Sequence, residues 1–142
     1  MAQIDFYILR QSGEQARQTF ACRLAEKAYR LDNTVHIHTD SKAIAERIDE
    51  LLWTFRDGSF VPHHLAGHAQ QDLASPVTIG FGADDVEPRD LLINLSDAIS
   101  ECSDAFPRVA ELVTSDEDCK QRSRKRFAEY REQGHQLETH KV

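Results

Sequence analysis

Between Asp116 and Gly134 the chain reads DEDCKQRSRKRFAEYREQG, a set of residue types suited to capturing an anion with an apolar end. From Lys120 to Arg131, six cations stand against one anion, Glu129. That is a net +5 in a chain whose total is −7, so the remainder carries −12. Fields of like charges add within about one Debye length, roughly 8 Å at physiological salt, so a reversal of this size can steer a partner. At helical spacing Lys120, Arg124, Phe127 and Arg131 form one stripe, at i, i+4, i+7 and i+11. Cys119, Ser123, Tyr130 and Phe127 form an adjoining, more apolar stripe suited to packing on the body of the protein. Phe127 thus sits at the seam, flanked by cations. An aromatic niche rimmed by Arg and Lys fits an acidic peptide with a hydrophobic end, or a nucleic-acid strand. A solvated charged face on a helix has the same composition, and most charge runs are of that kind.

Other residues invite chemistry with less support. Seven histidines are present. His36 and His38 share one face of an expected strand, where the plain alternative is a sheet-edge or surface position. His63, His64 and His68 fall in one expected loop. No H-E-x-x-H or comparable ligand spacing occurs, so no metal site is expected. Gly80-Phe81-Gly82 follows an expected strand but lacks the third glycine and helix start of a dinucleotide fingerprint, and no phosphate-binding G-x-x-x-x-G-K-[ST] occurs. Ser12, Ser41 and Ser59 follow turns without a nucleophile elbow, and Asp84–Asp85 is a turn pair. No cofactor is expected. Cys22, Cys102 and Cys119 are odd in number and far apart, which suits free packing thiols.

The elements that must position the basic stretch are legible from periodicity. Ile4–Leu9 reads as a buried strand and Gln15–Leu31 as an amphipathic helix. Thr34–Thr39 alternates as a strand, and Asp40–Ser41 caps a helix over Lys42–Thr54. This order argues for βαβ units. Asp57–Gly58 and Pro62 then break the helical pattern. Phe60–Val61 reads as a short strand end before an exposed loop, and 68–75 is polar and loop-like. Val77–Phe81 and Leu91–Leu95 are strands, Asp84–Arg89 a turn, and Ile99–Phe106 a short helix or turn. Arg108–Val113 is a strand, the basic helix follows, and Gln136–Thr139 ends the chain as an edge strand. The expected fold is a single α/β domain over residues 1–142, a mostly parallel, doubly wound sheet with helices on both faces. Its core includes Phe6, Ile8, Phe20, Leu24, Ile37, Ile48, Leu51, Ile79, Leu92 and Val109. Trp53, near a helix end, reads as core, and Phe60 as core or as a partner anchor.

With 142 residues, 40% apolar and 29% charged, the chain has the composition of a soluble globular protein. No apolar run approaches the roughly 20 residues of a membrane span, and MAQIDFYILR lacks the features of a signal peptide, so a cytoplasmic protein with no membrane contact is expected.

Three blocks resemble the chi subunit family of bacterial DNA polymerase III holoenzyme. They are ERIDELLWTFRDGSFVPHHLAG at 46–67, RDLLINLS at 89–96, and the pattern E-x-V followed by K-Q-x-x-R-x-R-F-x-x-Y-R within 109–131. The N-terminal F-Y-I-L fits as well, so the likeness spans nearly the whole chain. It implies a non-catalytic α/β subunit that links the clamp loader, through a small partner called psi, to the acidic C-terminal tail of single-stranded DNA-binding protein. That tail ends in proline and phenylalanine with a free carboxylate, and DNA itself is contacted only indirectly. The family's tail site maps onto Lys120, Arg124 and Phe127, with Val113 as a pocket wall. A lysine that the family carries just after the aromatic is Ala128 here, and Arg131 or Lys125 is left to complete the cationic rim. The psi contact maps to the S-F-V-P-H block, so Phe60, Val61, Pro62 and His63 are its candidate residues.

Two readings from other classes stand beside the adaptor. One is a nucleotide-binding or nucleotide-processing enzyme using His63, His64 and Asp84 at strand ends. The other is direct single-strand binding by the basic helix, against which the overall acidity of the chain argues.

Overall fold

The computed structural model describes residues 2–56, 58, 61–65, 75–81, 89–96 and 105–142. Ten elements follow in order: β1 (Gln3–Ile8), α1 (Glu14–Arg30), β2 (Val35–Thr39), α2 (Lys42–Thr54), β3 (His63–Leu65), β4 (Val77–Phe81), β5 (Leu91–Asn94), β6 (Arg108–Val113), α3 (Glu117–Glu132) and β7 (Gln136–Lys141). The seven strands form one sheet in the order β3-β4-β2-β5-β6-β1-β7, and every pairing is parallel. None of the described helices is long and apolar enough to cross a membrane.

Strand alternation sorts the core into two layers. Val35 and Ile37 of β2, Val77 and Ile79 of β4, Ile93 of β5 and Ala110 and Leu112 of β6 join Ala21, Cys22, Ala25, Ala45, Ile48 and Leu52 of α1 and α2 on one face. Ile4 and Phe6 of β1, Leu92 of β5 and Val109 and Val113 of β6 join Cys119 and Tyr130 of α3 on the other. Six of the ten expected core residues are buried, and Ile8, Phe20, Leu24 and Leu51 pack partly buried at its margins. Ser41 begins α2 as expected, its side chain accepting a 3.2 Å bond from the Ile44 amide. Gly134 follows α3 at φ 87°, the left-handed value that a helix C-terminal glycine adopts without steric cost.

Several sequence expectations need correcting. The short strand lies after Pro62, at His63–Leu65, and Val61 precedes it outside the sheet. A proline has no amide hydrogen to give a sheet, so it stands before the first paired residue of an edge strand. His36 and His38 are buried in an interior strand between β4 and β5. Trp53 is 52% exposed and lies over the His63 ring, with centroids 4.6 Å apart, so it is not a core residue. The last strand runs to Lys141 and pairs in parallel with β1 along its whole length. Ser59 and Phe60, His68, the Asp84–Asp85 pair, Cys102 and most of the helix expected at 99–106 lie outside the described residues.

The buried histidines give the fold a pH signature. His36 Nδ1 meets Thr78 Oγ1 at 2.8 Å and its ring stacks on Phe106. Among the described residues, His36 Nε2 and His38 Nδ1 have no hydrogen-bond partner. Burial, with His38 and Arg89 nearby, pushes the His36 pKa down to about 3, and burial lowers His38 despite the opposing pull of Asp40. A depressed histidine binds fewer protons folded than unfolded, so stability is complete above the unfolded value of 6.5 and is lost as pH falls below it. The slope from His36 alone approaches about 1.4 kcal/mol per pH unit, with His38 adding in the same direction. Denaturant midpoints at pH 7.5 and 5.5 should show this loss, and the double change His36→Leu, Thr78→Val should flatten it. An equally steep slope in the double variant would place its origin elsewhere.

Candidate functional site

The carboxyl ends of β1 and β6 open a crevice, because the chain leaves β1 for α1 on one face and α3 packs on the other. The start of α3 is tied to that of α1. Asp116 Oδ2 accepts from the Gly13 amide at 2.7 Å and from Thr114 Oγ1 at 2.8 Å, and the Ser115 amide donates to Gln11 O at 2.9 Å. The bond from Gly13, then that from Thr114, holds the Asp116 carboxyl below its usual range. Asp116 thus joins two loops and does not cap its own helix, which leaves α3 without a side-chain cap.

The inward face of α3 carries Cys119, Ser123, Arg126 and Tyr130, all buried. Arg126 is one of the six cations of the basic stretch, yet it is 4% exposed. Its Nε donates to Glu111 Oε1 at 3.1 Å, and a terminal nitrogen donates to Ser123 Oγ at 3.1 Å. Glu111 is fully buried in β6. Its other oxygen accepts from Tyr130 Oη at 2.6 Å and from Asn94 Nδ2 at 2.8 Å. Burial pushes the Glu111 carboxyl up, against the pull of Arg126, Tyr130 and Asn94. This network fixes the rotation of α3 over β6. The signal for it was a lone acid in the apolar strand RVAELV and a 4-3-4 spacing at residues 119, 123, 126 and 130.

With that face turned inward, Lys120, Arg124 and Phe127 are directed to the flank of the helix over β1 and β7. There, with Phe6, Ile8, Val113, Ser123 and Thr139, they line a cavity of about 270 Å³. Its apolar floor is firm: Phe127 packs on Phe6 with ring centroids 5.3 Å apart, and Tyr130 meets Phe6 edge-on at 6.1 Å. The Arg124 side chain is 71% exposed and lies 3.8 Å from an equally exposed Glu117 carboxylate, a contact of the weak surface kind. Its guanidinium is therefore available for a carboxylate ligand. Four of the five residues named from the sequence converge here. Arg131 does not line the cavity. It lies about 10 Å further along the helix than Arg124, at 1.5 Å per residue.

Of the other named residues, Val61 is buried in the core. His63 is also buried, with its ring nitrogens against Val61 O at 2.6 Å and Asp49 O at 3.0 Å. Pro62 is half-buried. A second cavity, about 260 Å³ on the opposite face of the sheet, is lined by Asp5 and Asp90 as well as Lys27 and Arg108, so its charge does not favour an acidic ligand. Among the described residues, Asp5, Glu138 and His140 bring donor atoms within 4.8 Å of one another. Both Asp5 oxygens are already held by Gln3, His140 and Arg108, so the group is internally satisfied and no ion is needed to explain it.

Sheet, helices and groove together define a three-layer α/β protein with an apolar groove rimmed by cations. The family model described as DNA polymerase III chi subunit, HolC, matches residues 1–138. The chain is 40% identical over 142 residues to DNA polymerase III subunit chi of Pseudomonas aeruginosa, covering all of this chain and 98% of that protein. It is 37% identical to subunit chi of Haemophilus influenzae, covering 97% of this chain and 96% of that protein. For the Escherichia coli subunit chi the identity is 32%, covering 98% and 97%. The chain belongs to the chi subunit family of DNA polymerase III. Among solved structures, T4 UvsW matches with a TM-score of 0.68 at 10% identity, over 99% of this chain and 41% of that one, a likeness of fold alone.

Proposed function

We propose that this protein is a non-catalytic adaptor of the replicative polymerase. Its α3 groove takes the acidic C-terminal tail of single-stranded DNA-binding protein. The segment Phe60–His63 contributes to the surface that docks psi, and through psi the clamp loader. The protein works in the cytoplasm, touching DNA only through its partners. The observation that carries the tail assignment is the convergence of Lys120, Arg124, Phe127 and Val113 on one apolar cavity. A phenylalanine side chain buried there would contribute roughly 1.5–3 kcal/mol, and a guanidinium at the mouth can grip a terminal carboxylate with two parallel bonds. In the psi contact Phe60 and Pro62 meet the partner, while the inward-facing Val61 and His63 hold the segment in place.

The alternatives have less behind them. Both His63 ring nitrogens face backbone carbonyls, which occupies them structurally rather than leaving a base free for nucleotide chemistry. Direct strand binding loses one of the six cations, since Arg126 is spent on Glu111.

A pull-down with intact single-stranded DNA-binding protein, against the same protein lacking its last residues, tests the tail assignment. Capture of both forms alike would contradict it. For the psi contact, Phe60→Ala is expected to cost about 2 kcal/mol or more in psi affinity, as for an interface hot spot, with tail binding unchanged. Calorimetric titration of both partners reads the two effects separately, and a loss of both together would point to unfolding instead.

A further inference from the structure

Resting on the tail reading above, we infer that Lys141 of β7 supplies a further cation to the groove, and that the acidic part of the bound peptide leaves across the carboxyl edge of the sheet between Lys120 and Lys141. It does not run along α3 toward Arg131. The register carries this. β7 pairs with β1 so that Phe6 lies beside Thr139 and Ile8 beside Lys141. Phe6, Ile8 and Thr139 all line the groove. Side chains two apart on a strand share a face, so Lys141 follows Thr139 on the α3 side of the sheet, next to Ile8 at the groove's end. The intervening His140 turns to the opposite face, where it bonds Asp5 and stacks on Tyr7.

Direction along the helix supports the same path. α3 leaves the carboxyl end of β6 and returns to the amino end of β7, so its first turns, with Lys120 and Arg124, lie at the strands' carboxyl ends. Lys141 lies at that end too, and Arg131 at the other. Lys141 is exposed and Lys120 half-buried, and among the described residues neither has an ion-pair partner. Lys120, Arg124 and Lys141 therefore bracket one mouth of the cavity with three cations. With the peptide's terminal carboxylate at Arg124 and its ring on Phe6 and Phe127, its preceding acidic residues meet the two lysines within screening distance.

The test is fluorescence anisotropy of a labelled acidic peptide ending in Pro-Phe, with wild type, Lys141→Ala, Lys141→Glu and Arg131→Ala. A second peptide keeps Pro-Phe but carries asparagine in place of its acidic residues. At low salt Lys141→Ala should weaken the acidic peptide about three- to fivefold and Lys141→Glu about tenfold or more, as for exposed charges meeting several anions. Arg131→Ala should change it less than about twofold, and the asparagine peptide should not sense position 141. Wild-type binding with Lys141→Ala unchanged, or with the loss found at Arg131→Ala instead, overturns this inference and leaves the groove reading intact. Failure of wild type to bind, or equal binding of a peptide without its phenylalanine, overturns the groove reading and this inference with it.

Discussion

Arg126→Ala is expected to destabilise the protein by about 3–5 kcal/mol, the scale for stripping the partner from a buried charge. Glu111 would remain fully buried in β6 with only Tyr130 and Asn94 to hold it. Protonation of its already raised carboxyl would relieve part of the cost, so the loss should shrink as pH falls. The double change Glu111→Leu, Arg126→Met should recover most of the stability, because apolar side chains of similar volume often replace a buried ion pair without loss. Tail affinity of the folded Arg126→Ala fraction should stay near wild type, since Arg126 does not line the groove. Denaturant unfolding followed by peptide titration separates the two quantities. A stable variant with weakened binding would instead place Arg126 among the cations that meet the peptide.

Arg124→Ala should have the converse effect. Its side chain is mostly exposed and makes only the loose contact with Glu117, so stability should move by less than about 0.5 kcal/mol. Binding of an acidic peptide with a free terminal carboxylate should fall by roughly 2–3 kcal/mol, as when a charged, hydrogen-bonded interface partner is removed. Arg124→Lys should recover only part of the loss, because an ammonium cannot reproduce the two parallel bonds of a guanidinium. Lys125→Ala, outside the groove lining, should cost under about 1 kcal/mol, as for a rim charge. Raising salt should weaken the contribution of Lys120 and leave ring burial on Phe6 and Phe127 nearly unchanged. Equal small losses at positions 124 and 125 would describe a solvated basic face, not a site.

The contrast between Arg124 and Arg126 shows where the sequence was legible. The stripe of residues 120, 124 and 127 needs only helical period, and the structure brings all three to one cavity. The strands were equally plain, because Val35–Thr39 and Arg108–Val113 carry the alternation or apolar density of interior strands. Arg126 was hidden because its pairing depends on which acid of β6 faces α3, a question of register between distant segments. Thr139 and Lys141 were hidden for the same reason. Nothing local in QLETHK says that the strand lies parallel to β1, so its groove-facing residues emerge only once Ile8 is seen beside Lys141. His36 and His38 were misjudged because burial depends on the sheet order, which places β2 between β4 and β5.

The central claim is that one short acidic peptide docks by its C-terminal phenylalanine between α3 and the sheet. Backbone and side-chain NMR shift mapping on the full chain tests it most directly, with the peptide and a version lacking that phenylalanine added in turn. The account predicts perturbations gathered on Ile8, Val113, Lys120, Arg124, Phe127 and Thr139, saturating with the intact peptide and collapsing for the truncated one. Shifts spread along the exposed cations of α3 alike for both peptides, or centred on the cavity around Asp5 and Asp90, would contradict it.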